Sequence, residues 1–164
     1  MKEPTYYYFA YGSNNLEQLA YRVGRTSEFK HEPGVMKHHT LIFAGYSERW
    51  NGGIASFHPM RGRTLRGTVV ELTIKELEKL DAYEGGYRRI RKRIHLPSRP
   101  ESHIYAFVYL KENHAFYSMP SSAYLNAIHN NIRKNEITIY AIEPGTKNVK
   151  KRGIWRKNVG IVEH

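Results

Sequence analysis

The chain has 164 residues, 40% of them hydrophobic and 13% aromatic, which suits one domain with a sizeable core and excludes bulk disorder. It has no Cys, which rules out disulfides, a thiolate nucleophile, iron–sulfur clusters and Cys-ligated zinc. Its one Asp, Asp81, rules out an EF-hand loop. No apolar run reaches the roughly 18 residues of a membrane span. Met1-Lys2-Glu3-Pro4 is not followed by the apolar stretch of a signal peptide, so a soluble cytoplasmic protein without membrane association is expected.

The formal net charge is +11, and it is local. Segment 88–99 holds Arg88, Arg89, Arg91, Lys92, Arg93 and Arg99 without an acid, and segment 146–164 holds six cations against Glu163. These two stretches carry the whole excess; elsewhere acids and bases balance. One reading is an acidic partner such as nucleic acid, an acidic protein or an anionic substrate. The other is an edge strand kept from pairing by its cations, followed by a basic tail. The basic run lacks the interleaved aromatics of a single-strand platform.

In chain order, residues 6–11 read as a strand apolar on both faces, interior to a sheet. Gly12-Ser13-Asn14-Asn15 breaks it. Leu16, Leu19, Ala20 and Val23 then recur at helical spacing until Gly24. A loop is expected at Pro33-Gly34, a strand over 40–46, a turn at Trp50-Asn51-Gly52-Gly53, and separate strands over 54–57 and 67–72. Thr73 and Glu76 have capping-box spacing ahead of a short helix that ends at Glu84-Gly85-Gly86. Residues 87–96 alternate as a strand, and 103–110 give another. Pro120-Ser121-Ser122 opens a helix carrying Tyr124, Leu125, Ile128 and Ile132. Residues 137–142 fit a strand or a short helix. Many strands with few, separated helices predict an α+β fold, with a domain over 1–145 and a basic extension over 146–164.

Two features carry chemistry. At Tyr11-Gly12-Ser13-Asn14, a glycine turn before a helix directs backbone amides outward, where they and the helix dipole favour an anion or an oxyanion. Neither a Walker A loop nor a GxGxxG follows. A simple N-cap is the alternative. The second is Glu84, a carboxylate in the last helical turn facing the negative end of the dipole and flanked by Tyr83 and Tyr87. Both effects favour its neutral form and raise its pKa toward that of a proton shuttle. An exposed Glu before a Gly cap is the alternative. Together they suggest acyl chemistry without a side-chain nucleophile, in which a substrate amine attacks intramolecularly.

Tyr8-Phe-Ala-Tyr-Gly-Ser-Asn14, Gly53-Ile-Ala-Ser56, Gly67-Thr-Val-Val-Glu-Leu72, Leu80-Asp-Ala-Tyr-Glu-Gly85 and Pro120-Ser-Ser-Ala-Tyr124 occur in this order, and with these spacings the chain resembles a γ-glutamylcyclotransferase. The resemblance covers roughly residues 6–130 and implies a barrel-like twisted sheet with a few helices around one cavity. It implies conversion of γ-glutamyl amides to 5-oxoproline with release of the amine, and no cofactor. Glu84 matches the family's catalytic glutamate. Tyr8, Phe9, Ala10, Tyr11, Gly12 and Ser13 match the loop that holds the glutamyl group through main-chain atoms, with Asn14 next to it. Tyr124 matches a tyrosine that closes the pocket, and Tyr11 and Tyr87 are expected to line it. Asn14 replaces the Leu usual in the glutathione-specific branch, and the γ-glutamylamine branch usually reads Tyr-Gly-Thr-Leu there. The family's C-terminal helix is not evident after Asn135.

No metal is expected. His38 and His39 point to opposite faces of a strand, His31, His58, His95, His103, His114 and His129 are scattered, and no H-E-x-x-H occurs. Ser13 lies in no G-x-S-x-G elbow. A reading of a different class is a catalytically idle binding module that takes up nucleic acid or an acidic carrier protein through segment 88–99 and the tail.

Overall fold

The computed structural model describes residues 3–111 and 118–162; His114 and Glu163 lie outside them. Five strands close into a barrel of order β1-β3-β2-β4-β5: β1 (Thr5–Ala10), β2 (His31–Ser47), β3 (Gly52–Thr73), β4 (Tyr87–Leu96) and β5 (Arg99–Lys111). Pairing is antiparallel except where β1 meets β5, with Tyr8 opposite Phe107. Three more strands, β6 (Glu136–Ile142), β7 (Val149–Arg156) and β8 (Gly160–Val162), form a separate sheet. The helices are α1 (Leu16–Val23), α2 (Ile74–Tyr83) and α3 (Ser122–Ile132). The α+β, barrel-like expectation holds.

The helix ends are those that local chemistry dictates. Asn15 caps α1 by accepting from the Gln18 amide, and Gly24 ends it at φ 72°, in the left-handed region that costs glycine nothing. Thr73 and Glu76 form the full capping box of α2. Ser121 caps α3.

The strands depart from the sequence reading in three places. Pro33-Gly34 is no loop but part of β2. Gly34 stands opposite Gly67; a side chain at Gly34 would strike Val69 and Ile94, and one at Gly67 the Ala10 carbonyl and the Phe9 ring, so the glycines make room for the core under a continuous ladder. The strands expected over 54–57 and 67–72 are one, because β2 and β3 form a long hairpin and a bulge between Lys37 and His39 absorbs the irregularity. His38 takes φ 59° at that bulge. Finally, β4 lies between β2 and β5 in the barrel order and not at a sheet edge, although its register with β2 is the single pair Val35–His95, beyond the cations at Arg88 to Arg93. Residues 137–142 resolve as strand β6.

Two cores result. The barrel interior gathers Phe9, Met36, Phe43, Leu65, Ile94 and Val108, and α3, β6 and β7 cap it with Leu125, Ile128, Ile139 and Trp155. The second core lies outside the barrel wall, where Leu19 and Val23 of α1 and Leu77 and Leu80 of α2 cover Tyr8, Ala10, Val70 and Tyr109. No helix among the described residues is long and apolar enough to cross a membrane.

Trp155 stands inside the basic C-terminal segment yet is only 3% exposed in the main core. We expect Trp155→Ala to destabilise the whole chain by about 3–5 kcal/mol and to lower one cooperative melt. A calorimetric trace that splits into two transitions would mark 146–164 as melting on its own.

Candidate active site

The turn after β1 and the C-terminus of α2 converge on a cavity of about 240 Å³. Its lining includes Tyr8, Tyr11, Gly12, Ser13, Asn14, Glu84, Tyr87 and Tyr124. Eight of the ten expected site residues therefore meet there. Phe9 and Ala10 do not line it; strand alternation sends them into the two cores.

Glu84 terminates α2, its N–H bonded to the Asp81 carbonyl, so its carboxyl sits at the negative end of the helix. Its side chain is 15% exposed. Burial pushes its pKa up to about 7; Arg22, whose Nη1 lies 3.7 Å from Oε1, opposes this, and the nearby Asp81 charge adds to it. Desolvation outweighs one guanidinium at that distance. Tyr83 contributes little to this burial, being 51% exposed. The enclosing rings are Tyr8, Tyr11, Tyr87, Tyr109 and Tyr124, whose phenols are held neutral by burial with the charge of Glu84 adding to the effect.

The wall is fixed by hydrogen bonds between distant elements. The Ala55 peptide is gripped on both sides: its N–H donates to Tyr124 Oη at 2.8 Å, and its carbonyl accepts from Tyr87 Oη at 2.5 Å. Asn14 Nδ2 donates to Tyr8 Oη, and Tyr11 Oη donates to the Tyr109 carbonyl. Tyr109 Oη donates to Asp81 at 2.6 Å, and Arg89 pairs with the other oxygen of that carboxylate, so the last turn of α2 is pinned to β4 and β5. Asn131 of α3 donates to the carbonyls of both Ala10 and Gly12, holding the glycine turn from behind. Gly53 lies so close to the Ser118 carbonyl that a Cβ would collide with it, which brings the start of β3 against the chain leading into α3.

Sequence reasoning missed Arg22, Ser47, Arg49, Trp50, Ile54, Ala55 and Tyr109 in the lining. Arg22 follows Leu19 by three on α1, beside its buried stripe, and that spacing was a usable signal. Arg49 and Trp50 come from the β2–β3 turn; Arg49 stacks on Trp50 at 5.6 Å, and the Trp50 ring lies 5.1 Å from that of Tyr124. Gln18, with its amide oriented by its neighbours, donates to the Ser13 carbonyl and accepts from Arg49, each at 3.1 Å. Among the described residues no set of three or more His, Asp or Glu gathers as a metal site. A second cavity, of about 780 Å³, is lined by Asn131 together with Asn15, Leu16 and Gly67.

Chemically, the cavity offers a carboxyl poised to exchange protons near neutrality, a glycine turn at a helix N-terminus, and two guanidinium groups. Residues 8–126 match the family "Gamma-glutamyl cyclotransferase, AIG2-like", and the chain belongs to it. A bovine gamma-glutamylcyclotransferase is 33% identical over 90 residues, 49% of this chain and 45% of that protein, so the match spans less than half of the relative. Among solved structures, an uncharacterized human protein superposes with a TM-score of 0.67 at 29% identity, covering 77% of each chain. A gamma-glutamyl cyclotransferase superposes equally well, at 0.67, with 27% identity over 76% of each chain. Strands β6 to β8 lie beyond the family match.

A carboxyl whose pKa is higher folded than unfolded binds its proton more tightly in the native state. The stability it contributes is full below about pH 4.5 and is lost as pH rises through about 7. Glu84→Gln removes this dependence. Between pH 4 and pH 8 the wild type should lose about 3 kcal/mol relative to the variant, roughly 6–12 °C in Tm, read from paired melts across that range. Parallel curves would mean that Glu84 titrates normally.

Proposed function

We propose that the protein is a γ-glutamylcyclotransferase that converts a γ-glutamyl amide to 5-oxoproline and a free amine, with Glu84 as the proton carrier. The observation that carries this reading is the Glu84 carboxyl, buried in a small tyrosine-walled cavity with its pKa near 7, a cavity that a glycine turn at a helix N-terminus also lines.

In the proposed reaction the Glu84 carboxylate takes a proton from the substrate α-ammonium. The freed amine attacks the γ-carbonyl carbon, forming the ring C–N bond and a tetrahedral oxyanion. Backbone amides of the Tyr11–Asn14 turn stabilise that oxyanion, supported by the dipole of α1. The proton on Glu84 passes to the departing nitrogen, the old C–N bond breaks and the carboxylate is restored, while the second proton of the ring nitrogen is taken up by the released amine, which leaves as an ammonium ion. One amide replaces another, so neither water nor an external energy source is consumed. Ring closure supplies the proximity that a separate nucleophile would otherwise need. A base with pKa near 7 is matched to this relay, since it both accepts and returns a proton without a large imbalance.

The cavity also limits the substrate. At about 240 Å³ it is small beside the roughly 300–1,000 Å³ of drug-sized ligand sites, which suits a γ-glutamyl group bearing a compact amine. Arg22 is in line to receive the glutamyl carboxylate, and Arg49 at the β2–β3 turn favours a leaving group that carries an acid over one that carries an amine.

Two outcomes are expected. Chromatographic assay of 5-oxoproline from γ-glutamyl amino acids, γ-glutamylamines and glutathione should show turnover by the wild type, and Glu84→Gln should lose about 100-fold or more in kcat while staying folded. Second, kcat/KM should rise with pH through an ionisation near 7, and that limb should vanish in the residual activity of the variant. Absence of product from every substrate would remove the cyclotransferase reading.

A further inference from the structure

The twelve-residue basic segment and the aromatic residues of β5 are unrelated in sequence but share one surface. Register sets Arg89 opposite Tyr109, Arg91 opposite Phe107, Arg93 opposite Tyr105 and His95 opposite His103. Alternation turns Ile94, Ala106 and Val108 into the barrel core, so the paired cations and rings stand together on the outer face. At one end of this face α2 covers Tyr109; beyond it the surface is open. Arg91 and Arg93 are exposed, and Tyr105 is 55% exposed. Tyr6 of β1, 39% exposed, extends the face with its ring 6.1 Å from Phe107.

The groups are already stacked on one another. The guanidiniums of Arg89 and Arg91 lie over the Phe107 ring at 4.8 and 5.3 Å, and His103 meets Tyr105 edge-on at 5.7 Å. The neighbouring acids are Asp81, engaged by Arg89 and Tyr109 at the covered end, and Glu101, toward the β4–β5 turn. Local positive charge with planar rings in a row on a sheet is the combination that tracks a phosphate backbone while bases stack. The missing aromatics that the sequence of segment 88–99 argued against are supplied by the adjacent strand. A folded acidic protein would answer the charge but leave Tyr105 and Tyr6 without a planar partner; a single-stranded polynucleotide answers both.

We propose that the outer face of β4 and β5, centred on Arg91, Arg93, Phe107 and Tyr105 with Tyr6 at its flank, binds single-stranded nucleic acid. None of these five residues lines the 240 Å³ cavity, so the proposal stands apart from the catalytic reading.

The test is fluorescence anisotropy of labelled oligo-uridylate and oligo-thymidylate with the full chain, titrated at several salt concentrations. Binding should weaken linearly in log–log form with salt. The double variant Arg91→Ala/Arg93→Ala should flatten that slope by about 1.4, two phosphates at roughly 0.7 each. Tyr105→Ala should weaken binding roughly 5- to 150-fold, the loss of one base stack, while Tyr105→Phe retains it. Circular dichroism melts establish that each variant is folded. The proposal fails if the folded wild type binds neither oligonucleotide at low salt. It fails equally if binding ignores these substitutions, or if polyaspartate or phosphatidylserine vesicles bind as tightly with no dependence on Tyr105.

Discussion

A carboxyl group kept from water at the C-terminus of α2 is the constraint around which the cavity is organised. Ionised Glu84 is disfavoured there by burial, by the helix dipole and by Asp81, and a guanidinium at 3.7 Å does not restore the balance. Such a group persists only where its surroundings are held rigidly, and the hydrogen bonds of the wall do this. Tyr124 from α3 and Tyr87 from β4 both close on the Ala55 peptide of β3, and Asp81 is tied to Tyr109 and Arg89. Elements β3, α2, β4, β5 and α3 are thereby fixed into the frame that encloses the acid.

The tyrosines explain how one small site stays polar while it buries a carboxyl. Each phenol has a defined partner in the wall: the hydroxyls of Tyr11, Tyr87 and Tyr124 bond backbone groups, that of Tyr8 the Asn14 amide and that of Tyr109 the Asp81 carboxylate, while the rings bury apolar surface. Burial keeps them neutral, which leaves Glu84 as the cavity group with a proton equilibrium near physiological pH. Stability given up at Glu84 and proton exchange gained at it are the same physical fact, as is common where function needs an unfavourable charge.

What the sequence revealed was what local chemistry determines. The Gly24 stop, the Thr73–Glu76 box and the Glu84-Gly85 helix end are written in adjacent residues, and the structure bears them out. Glycine pairs were less legible, because Gly34 reads as a turn until Gly67 is seen across the ladder from it and Val69 and Ile94 are seen packed over it. Trp50, Tyr109 and Asn131 reach the site only through the β2–β3 hairpin, the barrel closure and the docking of α3, contacts that no local pattern encodes. Register explains the outer face in the same way: aromatic and basic residues that look segregated along the chain become neighbours once β4 pairs with β5.

The measurement that bears most directly on this account is the ionisation of Glu84 itself. Carboxyl carbon resonances of protein labelled at glutamate, followed by NMR from pH 4 to pH 9 and assigned by comparison with Glu84→Gln, give its titration without reference to any substrate. The account predicts one glutamate with a midpoint near 7, absent from the variant. A Glu84 resonance that titrates near the ordinary glutamate value of about 4.3 would contradict it, because the carboxyl would then be neither effectively desolvated nor poised to carry a proton.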